Sequence, residues 1–205
     1  MEQIQGRAQR TKNSILRAAE QIFAAKGMDG ARVDEIAEVA GANKRMIYAY
    51  YGSKEQLYEA VLAAVYSRLR ECETAPVADE DPRRAIRALV HAYFVFLKNN
   101  PSYVRMVMWE NLYEARHFDE GGLMDVRNPI RQSMRDLLRR GKAAGVFRMD
   151  VEEEQVLMTL FACTFNYFSN IHTMSRVMKQ DLLSEEAMNA REEDVALLLQ
   201  RYLEP

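Results

Sequence analysis

Between residues 44 and 54 the chain collects side chains suited to gripping a polyanion: Lys44, Arg45, Met46, Tyr48, Tyr50 and Lys54. Lysine and arginine neutralise phosphates, and arginine can also take a guanine edge through two bonds. Tyrosine hydroxyls donate to phosphate oxygens, and an apolar group such as methionine can cover a thymine methyl. The first three are crowded at 44–46, while Ile47 and Tyr51 recur at core spacing, leaving Tyr48 and Tyr50 to point outward. A short helix entering a DNA groove by its N-terminal end needs this division of sides. A second constellation, Glu114-Ala115-Arg116-His117, has the Glu-x-x-His spacing of helical di-metal carboxylate centres. Those centres need two such motifs and two further glutamates. With only His91, His117 and His172 present, no second motif exists. His117 is therefore expected at a helix C-terminus, where the dipole favours it. Neither catalysis, nor a metal, nor a cofactor is expected. Cys72 and Cys163 lie too far apart in sequence to suggest a metal motif or disulfide framework, and read as buried, inert thiols.

The charge supports a polyanion partner at one end of the chain. The 205 residues carry a net charge of −2. Residues 1–54 hold nine Lys/Arg against six acids, and the remainder holds 19 against 24. A basic head on an acidic body suits a nucleic acid bound at the head. At 48% apolar and 28% charged, the composition is that of a folded globular protein. No apolar run reaches the roughly 18 residues of a membrane span, and the first residues lack a signal-peptide core, which places the chain in the cytoplasm and off the membrane.

The elements that position these residues are helical throughout. Ile15, Ala19, Ile22 and Phe23 mark a helix over about 11–26, stopped by Gly27. Val33, Ile36, Ala37 and Ala40 mark a short second helix, Gly41 the turn, and Asn43 the cap of a third helix ending before Gly52. Ser53 with Gln56 reads as a capping box opening a helix to about Glu71. Residues 74–81 form a connector. Asp81-Pro82, Asn100-Pro101 and Asn128-Pro129 each open a helix, the second of them reaching His117, with Gly121-Gly122 as a break. Asp150 with Glu153 introduces a helix of about thirty residues to Gln180, and Ser184 caps the last. About nine helices, no strand and no internal repeat make an all-α chain.

At this point the sequence resembles the tetracycline-repressor family of transcription regulators. The likeness covers about Arg10 to Val65. It runs through Ile15-Leu16-x-Ala18-Ala19-x-x-x-Phe23, Lys26-Gly27, Val33-x-x-Ile36-Ala37-x-x-Ala40-Gly41, Ile47-Tyr48-x-Tyr50-Tyr51 and Ser53-Lys54-Glu55-x-Leu57. It implies that Lys44, Arg45 and Met46 reach bases and flanking phosphates, and that Tyr48 meets phosphate or a thymine methyl. It also implies that Tyr50 stands where many members have a phosphate-binding histidine, and that Lys54 grips the backbone beside a helix dipole. Arg32 departs from the family's Ser or Thr cap. Arginine cannot accept a backbone N–H, so the cap is lost and Arg32 is assigned to phosphate instead.

One helix-turn-helix reads few base pairs, so a twofold pair is expected on double-stranded operator DNA. The segment Leu157–Phe165 carries no charge, which suits a helix covered on more than one side; a deeply buried monomeric core helix is the alternative. The resemblance places the twofold face on the last two helices, here through Phe161, Phe168, Val195, Leu198, Leu199 and Tyr202. For an unidentified small-molecule effector the candidates are Tyr93, Phe96, Trp109, Glu110, Tyr113, Phe165 and Asn166, although the same side chains also describe an ordinary core. The expected organisation is a three-helix DNA-binding domain over 1–53, a connecting helix over 54–73, and an effector-binding and dimerisation domain over 74–205. Effector binding would act by tilting the connecting helix, with about 1–3 kcal/mol of coupling. The reading is a ligand-responsive repressor. Its alternative is a helical protein-interaction module whose helix-turn-helix has lost DNA.

Overall fold

In a computed structural model the backbone is described for residues 2–118 and 123–205, and the side chains for 6–118 and 130–205. Among the described residues the secondary structure is helical: α1 (Glu2–Gly30), α2 (Val33–Ala40), α3 (Lys44–Tyr51), α4 (Lys54–Val77), α5 (Pro82–Asn99), α6 (Pro101–Leu112), α7 (Leu123–Ala143), α8 (Glu153–Ser169), α9 (Ile171–Met178) and α10 (Glu185–Leu203). No helix among them is long and apolar enough to cross a membrane. The chain divides into two compact units, Met1–Ser67 with Arg105–Met124, and Arg68–Val104 with Asp125–Pro205.

In the first unit α1 packs on α2, and α2 on α3. Ile15, Ala19 and Phe23 of α1, Ile36 of α2, Ile47 of α3, and Leu57, Val61 and Val65 of α4 form its sealed centre. The local chemistry fixes the turns. Gly41 ends α2 at φ 60°, a left-handed conformation that spares glycine a Cβ clash, and its N–H returns to the carbonyls of Ala37 and Glu38. The Asn43 side chain accepts the Arg45 N–H at 2.8 Å and so starts α3. Ser53 Oγ accepts the Gln56 N–H at 3.1 Å at the head of α4. The return half of that box is not made, since the Ser53 N–H goes to the Tyr51 carbonyl at 2.9 Å; the Glu55 carboxyl is held below its usual range by its own backbone N–H and the Ser53 hydroxyl.

In the second unit α5, α8 and α10 pack on one another. Ile86, Leu89, Val90 and Leu97 of α5 share this core with Val156 and Leu160 of α8 and Val195, Leu199 and Leu203 of α10. Asp81 caps α5 through the Arg83 N–H at 2.9 Å, with Pro82 in the first turn. Ser184 caps α10 through the Ala187 N–H at 3.3 Å.

Several boundaries differ from expectation. α1 begins at Glu2, and Gly27 (φ 68°, ψ 176°) kinks the helix without ending it, since one more turn follows to Gly30. α4 continues through the expected connector to Val77, carrying Pro76 in its last turn. α7 begins at Leu123 and runs through Asn128-Pro129, so that pair does not open the helix. The Gly121-Gly122 break lies outside the described residues. The thirty-residue helix is two helices, α8 and α9, separated at Asn170. α8 has no side-chain cap: Glu153 is committed to Arg135 at 2.6 Å instead of to the backbone.

Candidate nucleic-acid interface

α3 divides its sides as a groove-reading helix must. Ile47 is sealed in the core, and the Tyr51 hydroxyl donates to the Lys12 carbonyl at 3.0 Å, its pKa pushed up by burial. Lys44, Arg45 and Tyr48 are exposed, and Met46 and Tyr50 are half-buried. Lys44 is not a free cation. Its ammonium lies 2.9 Å from the Asp34 carboxylate of α2, and that hydrogen bond raises its pKa. Both partners are exposed, so the pair contributes little to stability and exchanges readily for a phosphate. Tyr50 lies under Lys12, whose Nζ is 5.3 Å from the ring centre.

Lys54 occupies the first position of α4, and its Nζ reaches the Ala31 carbonyl at 3.4 Å. Ala31 immediately precedes Arg32, the first flanking residue of α2, which is exposed and supplies no side-chain cap. Two helix N-termini, from α2 and α4, are thereby brought together with a cation at each. Helix N-termini present unpaired N–H groups and positive dipole ends, the arrangement that holds phosphate oxygens. The sequence revealed the missing cap at Arg32. Nothing in the spacing showed that Lys54 reaches back to it.

The seven expected effector residues divide between the two units. Trp109, Glu110 and Tyr113 belong to the first unit, where Trp109 and Tyr113 pack against the kink of α1. Trp109 Nε1 donates to the Ala24 carbonyl at 3.3 Å, and its ring stacks on Tyr113, centroids 5.9 Å apart. A Cβ on Gly27 would stand 2.5 Å from the Tyr113 hydroxyl and 2.9 Å from the Trp109 ring, so glycine is required there. Glu110 is sealed, with His117 Nδ1 2.8 Å from its Oε1. In the second unit Tyr93 donates to Glu73, Phe96 meets Tyr103 edge-on at 5.1 Å, and Phe165 stacks on Phe161 at 4.7 Å. Asn166 is exposed on the rim of a cavity of about 520 Å³ among α8, α9 and α10, lined also by Tyr167, Met174, Met178 and Leu182. Tyr93, Phe96 and Phe165 do not line it.

The Glu-x-x-His motif dissolves in three dimensions. α6 ends at Leu112, five residues earlier than expected. Glu114 and Ala115 both take φ 57°, turning the chain so that His117 meets Glu110 while Glu114 stays in solvent. No group of three or more potential metal ligands occurs among the described residues.

The expected twofold face needs correction as well. Val195 and Leu199 are 1% exposed and Phe168 is 9% exposed, all committed to the protomer's own core. Tyr202 is half-buried beneath the Arg148 guanidinium, 4.7 Å from its ring. Leu198 and Phe161 remain accessible, and the structure adds Met158, 66% exposed, in register with Phe161 and Phe165 on α8. That stripe was visible in the sequence as the spacing 158, 161, 165.

Comparison with known proteins gives two family matches. Residues 15–61 match the family described as bacterial regulatory proteins, tetR family, and residues 82–197 match a tetracyclin repressor-like C-terminal domain. Among curated proteins, the chain is 32% identical over 182 residues to the HTH-type transcriptional repressor NicS of Pseudomonas putida, covering 88% of this chain and 86% of that one. It is 36% identical over 102 residues to the HTH-type transcriptional repressor SCO4008 of Streptomyces coelicolor, half of each chain. Among solved structures, the fatty acid degradation regulator FadR of Bacillus halodurans aligns with a TM-score of 0.71 at 22% identity, covering 92% of this chain and 94% of that one. The ketosteroid transcriptional regulator KstR2 of Mycobacterium tuberculosis aligns with a TM-score of 0.69 at 20% identity, covering 95% of each. These last two share the fold.

Proposed function

The chain belongs to the tetR family of bacterial regulatory proteins, DNA-binding regulators of transcription, and from that premise we propose a cytoplasmic, effector-controlled repressor that binds an inverted-repeat operator as a homodimer. The observation that carries the reading is the side division of α3. Ile47 holds the helix to the core while Lys44, Arg45 and Tyr48 stand in solvent beside the paired N-termini of α2 and α4. In this reading Lys44, Arg45 and Met46 meet base edges and flanking phosphates, with Lys44 on a phosphate, Tyr48 and Tyr50 flank them, and Arg32 and Lys54 hold further phosphates. Repression follows the relatives NicS and SCO4008, both repressors by name.

The pair is assigned to α8 and α10, through Met158, Phe161 and Leu198, because these are accessible apolar side chains, Leu197 being another, on the two helices whose other sides fill the core. The effector is assigned to the second unit. Only differential affinity for the DNA-bound and free states lets it act.

Selection of bound sequences from random duplexes tests the whole reading. An inverted repeat is expected. If each subunit neutralises about three phosphates, the slope of log K against log salt is near −5 for the dimer. A slope near zero overturns DNA binding, and recovery of unrelated single sites overturns the twofold pair.

A further inference from the structure

We infer that the cavity among α8, α9 and α10 is a ligand site for an uncharged, largely aromatic molecule with one hydrogen-bonding edge. This assignment rests on the effector-controlled reading above and gives that effector a place and a chemical class.

Three observations carry it. First, the cavity has fixed walls. Its volume, about 520 Å³, lies within the range of small-molecule sites. The Tyr167 hydroxyl of α8 donates to the Leu182 carbonyl at 2.6 Å, which holds the α9–α10 connection against α8. From the α9 side, Ser175 Oγ accepts the Leu182 N–H at 3.3 Å, and the Ser175 carbonyl accepts the Gln180 N–H at 3.1 Å. Lys179, at φ 54°, reverses the chain at the end of α9. A cavity braced by bonds on both sides exists before its ligand arrives, so little ordering is lost on binding.

Second, the lining sorts by chemistry. Met174 and Met178, one turn apart on α9, line it with Leu182 and with Ala190 of α10. Unbranched thioethers adapt to irregular shapes and contact aromatic rings favourably. Arg191 and Asp194 of α10 hold each other at 2.7 Å, so the pair offers no uncompensated charge, and a charged ligand would have to break it. The Asn166 and Gln180 amides also line the cavity, are exposed, and make no side-chain hydrogen bond among the described residues. An amide presents a donor beside an acceptor, the complement of a neutral edge such as a phenol, an amide or a heterocyclic N–H.

Third, the walls are the helices assigned to the twofold pair. α8 and α10 line the cavity through Asn166 and Arg191, and expose Met158 and Leu198 about two turns away. A ligand wedged between them sets their spacing, and with it the face offered to the second protomer. It acts by favouring one such spacing over another.

Cys163 lines the cavity and is half-buried, so its thiol reports occupancy. The test uses the full chain, the neutral dye N-phenyl-1-naphthylamine as probe and iodoacetamide as thiol reagent, with Cys72 as internal reference. At about ten times the dye's Kd, alkylation of Cys163 is expected to slow about tenfold by mass action, while Cys72 keeps its rate. Ala190→Phe is expected to raise the dye's Kd at least about tenfold, since its ring takes the space the dye needs. Val95→Phe, on a separate surface groove of α5, is expected to leave the Kd unchanged. Dye binding that leaves Cys163 unprotected overturns the inference, as does the absence of dye binding. Cys163 alkylation that is blocked without dye and restored by dilution also overturns it, because a second copy of the chain then fills the cavity. Operator affinity, measured with and without dye, separates this site from the reading it rests on. Protection of Cys163 with unchanged affinity supports the site and removes effector control; changed affinity without protection does the reverse.

Discussion

His117 Nδ1 lies 2.8 Å from Glu110 Oε1 across the end of α6, with both side chains nearly sealed from solvent at 8% and 3% exposure. The Tyr58 ring of α4 packs on the imidazole with centroids 4.9 Å apart, and burial together with the Glu110 carboxylate pushes the Tyr58 hydroxyl far above its ordinary pKa. The pair clamps the left-handed turn at Glu114 and Ala115. Removing one partner leaves the other buried without compensation, which typically costs about 3–5 kcal/mol. Glu110→Ala is therefore expected to lower the unfolding free energy, measured by urea titration, by that amount. The double change Glu110→Leu, His117→Leu recovers most of the loss, because an apolar pair of similar volume needs no partner. A single substitution costing under about 1 kcal/mol removes the clamp from the account.

Gly27 makes a sharper steric prediction. Its φ of 68° disfavours any side chain, and its Cβ position is already filled by Tyr113 and Trp109. Gly27→Ala must move both aromatic rings, with an expected loss of at least about 2 kcal/mol. Gly6→Ala is the contrast. It meets nothing within 4 Å, and helix propensity alone is expected to make it neutral or slightly stabilising. Thermal melting of the two variants compares them directly.

Lys44 and Asp34 allow DNA contact and fold stability to be separated. The ion pair is exposed, at 46% and 59%, so Asp34→Asn is expected to leave the melting temperature nearly unchanged. The same change releases Lys44 and removes a negative charge from the DNA face, so affinity for random duplex should rise. Lys44→Ala is expected to make the salt slope shallower by about 0.9 per protomer. Filter binding across a salt series checks both directions of change.

These cases show what was legible in the sequence. The caps and turns that set α2 and α3, Gly41 and Asn43 above all, act within a few residues, so spacing alone located the reading helix. The expected helix end at His117 misled because spacing assumes one continuous helix. The chain turns at two non-glycine residues in left-handed conformation, and no composition rule marks that. Val195 and Leu199 failed as interface residues for a different reason. α10 has apolar side chains on two sides, and periodicity does not say which side its own α5 and α8 will cover. The sequence could not sort the effector candidates, because an aromatic residue looks the same whether it lines a cavity or, like Trp109, packs against a helix kink.

The accessible apolar residues of α8 and α10 predict the state of assembly. Met158 and Leu198 are 66% and 45% exposed on helices whose other sides are sealed. Met158→Glu with Leu198→Glu places a charge on each helix without touching the protomer core, so the fold should survive. Sedimentation is expected to show a shift from dimer to monomer, and operator affinity to fall steeply, since one helix-turn-helix alone reads few bases. A variant that stays dimeric at unchanged concentration dependence moves the twofold face elsewhere.

Cys72 gives the pH prediction. Burial, helped by the neighbouring Glu73 charge, pushes its thiol up to about 12. The unfolded thiol titrates near about 8.5. At pH 8 the native thiolate fraction is then on the order of one in ten thousand, against about a quarter in the unfolded chain. Alkylation of native protein at Cys72 should therefore be slower by about three orders of magnitude than in urea, because the thiolate is the reacting form. The sign for stability follows from the same shift. Folding favours the protonated thiol, so the contribution is complete below about 8.5 and is lost as pH rises from there toward 12. Wild type should consequently lose stability faster than Cys72→Ser above pH about 9, and parallel pH profiles of the two proteins would show that Cys72 lies in an ordinary aqueous setting.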